Sequence, residues 1–90
     1  MLHVPARLII ATHLYVVDSV DAVFLQNMTN LTWGNLSSHL RKLEEAGYVA
    51  IAKSFEGRKP RTAISLTDQG RSALREYRAT MLRSLSAVEM

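Results

Sequence analysis

Between Thr32 and Val88 the apolar residues change from helical spacing to alternation and back, which few folds accommodate. Leu40 and Leu43 fall within about 40° of Leu36 on a helical wheel. Ala46 extends that stripe one position off the ideal spacing. Thr32 is a natural N-cap for this helix and Gly47 a natural stop. Tyr48 to Ser54 then reads as a strand with Val49 and Ile51 inward. Thr62 to Leu66 reads as its antiparallel partner with Ile64 and Leu66 inward, and Glu56-Gly57 lies at the turn. Pro60 would cost a central strand a ladder bond, so this arm is expected at an edge or a protruding tip. Thr67 caps a last helix in which Leu74, Tyr77, Met81, Leu85 and Val88 keep 3/4 spacing to about residue 88. That length, roughly 30 Å at 1.5 Å per residue, exceeds what so small a core covers.

Upstream, Pro5 suits the first helical position, where its missing N–H costs nothing, and predicts a helix from near Val4 to about Val17. Its apolar residues lie all round the wheel, so a second covering surface is needed. Asp18-Ser19 makes a turn, and Asp21 opens a short helix with Ala22, Leu25 and Met28 on one face, ending over Asn27 to Asn30. The order is helix, helix, helix, strand, basic turn, strand, long helix, with a short link between the second and third helices. This is an α+β, mainly α arrangement: a winged helix-turn-helix with a two-stranded wing and a long C-terminal dimerisation helix. The 90 residues leave room for one domain, spanning 1–90, with residues 67–88 as that helix. Leu8 and Tyr15 of the first helix, with Leu74, Tyr77, Met81 and Leu85, are expected at a homodimer interface. Uncovered, they would form a larger exposed patch than monomers usually tolerate.

The formal charge of +3 is unevenly distributed. Residues 1–30 carry Arg7 against Asp18 and Asp21, whereas Lys53, Arg58, Lys59 and Arg61 face Glu56 alone within nine positions, a local net of +3. A basic cluster that compact fits a polyanion. The third helix turns Gly34, Ser38, Arg41, Lys42 and Glu45 away from its apolar stripe, with Asn35 and Ser37 flanking. Asn reads adenine, Arg reads guanine, Ser contacts either, and small residues let a backbone approach. Asn35, Ser38 and Arg41 are therefore expected at base edges and Ser37 and Lys42 on phosphates, with Thr32 and Trp33 at the helix entrance. Arg58, Lys59 and Arg61 are expected on phosphates, where an Arg also enters a narrow minor groove. The expected partner is double-stranded DNA. A rival reading makes the third helix and wing a protein-docking or dimerisation module, but the concentration of charge on those two elements favours DNA.

Other chemistries are poorly supplied. Without cysteine there is no disulfide framework and no thiolate metal site. His3, His13 and His39 lack metal-ligand spacing, so no metal is expected. His39, about 60° from Leu36, borders the core, within reach of a phosphate. Ser37 and Ser38 precede His39, but neighbours on one helix do not face each other and no acid orients the imidazole. The glycines at 34, 47, 57 and 70 form no phosphate loop, and neither a cofactor nor enzymatic activity is expected. The apolar run Leu8 to Val17 is about half a membrane span, and the N-terminus lacks the features of a signal peptide, so a cytoplasmic protein with no membrane partner is expected. No small-molecule effector is indicated; one would have to bind at the dimer interface or between it and the DNA-binding lobe.

Residues 31–49, LTWGNLSSHLRKLEEAGYV, resemble the recognition-helix segment of winged-helix transcriptional regulators. Phe55-Glu56-Gly57-Arg58-Lys59-Pro60-Arg61-Thr62 and Leu66-Thr67-Asp68-Gln69-Gly70-Arg71 are similar to that family's wing and the start of its final helix. Over residues 3–80 the chain resembles small one-domain regulators of the MarR-like group. The resemblance implies a homodimer on a partly palindromic operator, with the third helix in the major groove and the wing at the adjacent minor groove. Trp33 departs from the pattern, which more often has a small or acidic residue there. It could pack inward, touch sugar-phosphate or reshape base readout.

Overall fold

Each helix begins where a side chain, or a proline, deals with amide groups that the helix leaves unpaired. The computed structural model describes residues 1–88. Its elements are α1 (Pro5–Tyr15), β1 (Val20–Asp21), α2 (Ala22–Thr29), α3 (Trp33–Glu45), β2 (Val49–Glu56), β3 (Lys59–Leu66) and α4 (Asp68–Leu85). Pro5 starts α1. The Asp21 carboxylate accepts from the Val23 amide at 2.7 Å to start α2, and Thr32 Oγ1 accepts from the Asn35 amide at 3.2 Å to start α3. Between them Asn30 adopts a left-handed conformation, φ 58°, while its amide donates to the Gln26 carbonyl. Asn tolerates this conformation better than most residues. Gln26 also donates to the Leu31 carbonyl, at 3.3 Å, so both sides of the turn are tied.

The strands form one antiparallel sheet in the order β1-β3-β2. Val49, Ile64 and Leu66 enter the core as expected, and Ile51 is half-buried. Ile10, Leu14, Leu25, Leu36 and Leu43 complete the buried centre. Several boundaries differ from the expectations. The hairpin is longer, with Phe55 opposite Pro60 and Glu56 opposite Lys59. Pro60 is thus inside β3, but β1 pairs only with Ile64 and Ala63, so β3 at Pro60 has a single neighbour. The two-residue β1 was not expected. The first helix stops at Tyr15 instead of Val17, and Arg71 Nη1 and Nη2 donate to the Tyr15 and Val17 carbonyls at 2.8 and 3.1 Å. The last helix ends at Leu85, leaving Val88 beyond it. Met28, expected on the buried face of α2, is 48% exposed. Residues 89 and 90 of the expected domain lie outside the described residues.

One junction joins three elements. Thr67 Oγ1 donates to the Gly47 carbonyl at 2.6 Å and accepts from the Gly70 amide at 3.0 Å, while the Thr67 amide donates to the Tyr48 carbonyl at 2.9 Å. Gly70 is buried so closely against the residue preceding β2 that a Cβ there would overlap the Tyr48 carbonyl oxygen. Gly70→Ala should therefore displace α4 and cost about 1–3 kcal/mol, the range of core overpacking. Gly34→Ala is the control: no other atom lies within 4 Å of the new methyl, and its helix should gain up to about 1 kcal/mol. Urea unfolding of both variants checks the contrast, and equal stability of Gly70→Ala and the parent would contradict it.

Candidate nucleic-acid interface

The buried stripe Leu36, Leu40 and Leu43 sets the rotation of α3 and thereby which residues face outward. Thr32, Asn35, Ser37, Arg41 and Lys42 are exposed and Ser38 is half-buried. Gly34 opens onto free space, so a ligand could approach the backbone closely. Trp33 is 47% exposed at the first turn, which excludes complete inward packing and leaves its indole beside any ligand of the helix entrance. This face combines small residues, neutral hydrogen-bonding groups and two cations, with the exposed Glu45 at its C-terminal end.

Residues 52–61 of the wing are all exposed. Gly57, with φ 64°, takes the first central position of the two-residue turn, and Arg58 the second. The three wing cations are not equivalent. Arg61 Nε lies 2.6 Å from Glu56 Oε2, bracing the hairpin diagonally. Among the described residues, neither Arg58 nor Lys59 has a carboxylate within ion-pair distance. Both are therefore available to an external anion.

A largely apolar groove of about 720 Å³ between α1 and α4 is lined by Leu8, Tyr15, Leu74, Tyr77, Met81 and Leu82, with Thr12, Arg75 and Arg78 also on its walls. It gathers five of the six residues expected at a dimer interface; Leu85, 56% exposed, lies farther along α4. Two interactions were not visible in local sequence. Arg71 lies over the Tyr15 ring, 5.2 Å from its centroid, besides holding the end of α1. Arg7 Nε donates to His39 Nδ1 at 3.2 Å, linking α1 to α3. Both partners are polar residues far apart in the chain, and neither pair leaves a periodic signal. No cluster of three or more His, Cys, Asp or Glu placed to hold a metal occurs among the described residues, and no helix there is long and apolar enough to cross a membrane.

Comparison with known proteins gives a consistent result. Residues 6–85 match a family model described as a winged helix DNA-binding domain. An uncharacterised protein of Methanocaldococcus jannaschii is 36% identical over 83 residues, covering 92% of this chain and 90% of that protein. A transcriptional regulator homologue from Pyrococcus horikoshii OT3 superposes with a TM-score of 0.93 at 30% identity, covering 99% of this chain and 88% of that one. A putative MarR-family transcriptional regulator from Porphyromonas gingivalis W83 shares the fold with a TM-score of 0.74 at 16% identity, over 99% of this chain and 84% of that one.

His39 makes the α1–α3 contact sensitive to acid. Burial, then the charges of Arg7 and Lys42, hold its pKa below the ordinary value of 6.5, and only the neutral ring accepts from Arg7. Folding thus favours the neutral imidazole. Its contribution to stability is present above pH 6.5 and lost as pH falls through 6.5 toward the lowered folded-state value. Thermal unfolding from pH 7.5 to 5.5 should show a smaller loss in His39→Gln than in the parent. Parallel curves would contradict this.

Proposed function

Because the chain belongs to the winged helix DNA-binding domain family, we propose that it is a sequence-specific transcriptional regulator acting on double-stranded DNA as a homodimer. Its fold and family are those of transcriptional regulators, not enzymes. The observation that carries the proposal is the pairing of an exposed small, polar and basic face on α3 with a wing whose Arg58 and Lys59 lack carboxylate partners within the chain.

In this reading α3 enters the major groove, where Asn35, Ser38 and Arg41 meet base edges and Ser37 and Lys42 meet phosphates. Thr32 and Trp33 border the backbone at the helix entrance. The wing follows the adjacent minor groove through Arg58 and Lys59, while Arg61 contributes chiefly by bracing the hairpin. The protein would work where the DNA is, in the cytoplasm, as a single domain without cofactor or metal. The dimer proposal is supported by the open groove between α1 and α4 and by the exposure of Leu82 and Leu85. A two-fold partner would cover Leu8, Tyr15, Leu74, Tyr77, Met81 and Leu85 and present two recognition helices to a partly palindromic site.

Three measurements test this. Leu85→Glu should weaken self-association in sedimentation, and a parent protein that remains monomeric at micromolar concentration would remove the dimer. Arg41→Ala should relax preference at one operator position and cost about 1–3 kcal/mol if the contact is bidentate to a base. Uniform weakening across sequences would make Arg41 a phosphate contact instead. Arg58→Ala should flatten the slope of log K against log salt by roughly 1.8 for a dimer, about 0.9 per phosphate released. An unchanged slope and affinity would take the wing off the DNA.

A further inference from the structure

The wing's charge does not account for its largest exposed side chain. Phe55 is 75% exposed, and its cross-strand partner is Pro60. Alternation along the hairpin places both on the face that, nearer the core, buries Val49, Ile64 and Leu66. Lys53 and Thr62 share that face. Ser54, Glu56, Lys59 and Arg61 lie on the other, where the Glu56–Arg61 ion pair sits. The apolar stripe of the core thus continues onto the wing as a Phe–Pro pair with its surface left in water.

We propose that Phe55 and Pro60 form an apolar contact surface for the deoxyribose wall of a DNA minor groove, set behind the Arg58 tip. The inference rests on the DNA-binding reading above and adds a contact that does not depend on charge. Dimensions select this occupant. Phe55 stands two residues behind Gly57 at the turn, about 7 Å at 3.4 Å per residue. A minor groove is about 7.5 Å deep and 6 Å wide. When Arg58 reaches the floor, Phe55 stands at the lip, where the groove wall is sugar. Its side chain leaves the hairpin sideways, so it lies along that wall and is not a wedge between base pairs.

Charge points the same way. Lys53 shares the Phe55 face, and Arg58 stands at the tip beyond it. An apolar protein surface docking there would have to desolvate unpaired ammonium and guanidinium groups. A nucleic-acid groove offers phosphates and apolar sugar edges side by side. Because three quarters of Phe55 remains open, Pro60 uses little of its surface.

The test compares the parent, Phe55→Thr, Phe55→Leu and Arg58→Ala on one bound genomic DNA fragment between about 50 and 200 mM salt. Thr keeps strand preference without the apolar body, and Leu keeps the apolar body without the ring. Phe55→Thr should bind roughly ten- to hundredfold more weakly at every salt concentration with an unchanged slope, as expected from losing about half the burial of a Phe side chain on each of two wings. Phe55→Leu should retain most of the affinity, and Arg58→Ala should change the slope. Parent-like binding by Phe55→Thr would overturn the inference while leaving DNA binding intact. So would equal losses in the Thr and Leu variants, because a sugar wall does not require an aromatic ring. A flattened slope in Phe55→Thr would also overturn it, by showing that Phe55 acts only through the order of the hairpin that carries Arg58. Failure of the parent to bind any fragment would remove the DNA reading and this inference together.

Discussion

The hydroxyl of Thr67 is the small group on which the arrangement turns. It holds the Gly47 carbonyl where α3 has just ended and the Gly70 amide where α4 has just begun. With the Thr67 amide on the Tyr48 carbonyl, the end of one helix, the start of a strand and the start of another helix share one hydrogen-bonded point. Gly70 allows that approach because it has no Cβ to strike the Tyr48 oxygen. The direction of α3 relative to α4 therefore depends on a few short bonds and one missing methyl group. Arg71, one residue on, carries the constraint to α1 by holding the Tyr15 and Val17 carbonyls. A change in the packing of α1 against α4 would be felt at α3 with little slack between them.

What could be read before the structure was what acts locally. Thr32 and Thr67 bond amides three residues away, and Leu36, Leu40 and Leu43 recur on one helical face. Those features survive in the order of the residues. Gly47 carries the positive φ expected of a helix stop. By contrast, β1 consists of two residues whose partner strand follows three further elements, so neither Val20 nor Asp21 shows a strand pattern alone. The same distance hid the grip of Arg71 on α1 and the bond between Arg7 and His39. In the candidate site the cationic wing was visible, but the division of labour within it was not. The register sets Lys59 directly opposite Glu56, yet the carboxylate pairs diagonally with Arg61.

Net charge alone is a poor description of this molecule. Arg7 and Arg71 donate to groups that fasten helices together, and Arg61 is neutralised within the hairpin. The cations left on the outward surfaces of α3 and the wing are Arg41, Lys42, Lys53, Arg58 and Lys59. Arg75, Arg78 and Arg83 are exposed on α4 instead, and on α3 the exposed Glu44 and Glu45 offset Arg41 and Lys42. An incoming polyanion would therefore meet the strongest uncompensated positive charge at the wing, where Lys53, Arg58 and Lys59 have no carboxylate within ion-pair distance among the described residues.

The brevity of β1 also bears on the order in which the sheet can assemble. β2 and β3 meet across a two-residue turn, a closure that takes microseconds in isolated hairpins. Val20 pairs with Ile64, 44 positions later, so this rung has to enclose α2, α3 and the whole of β2. The entropy of closing so long a loop opposes it until those elements have compacted. During synthesis β1 leaves the ribosome well before its partner exists. The strand made first is thus the one whose pairing carries the larger closure cost.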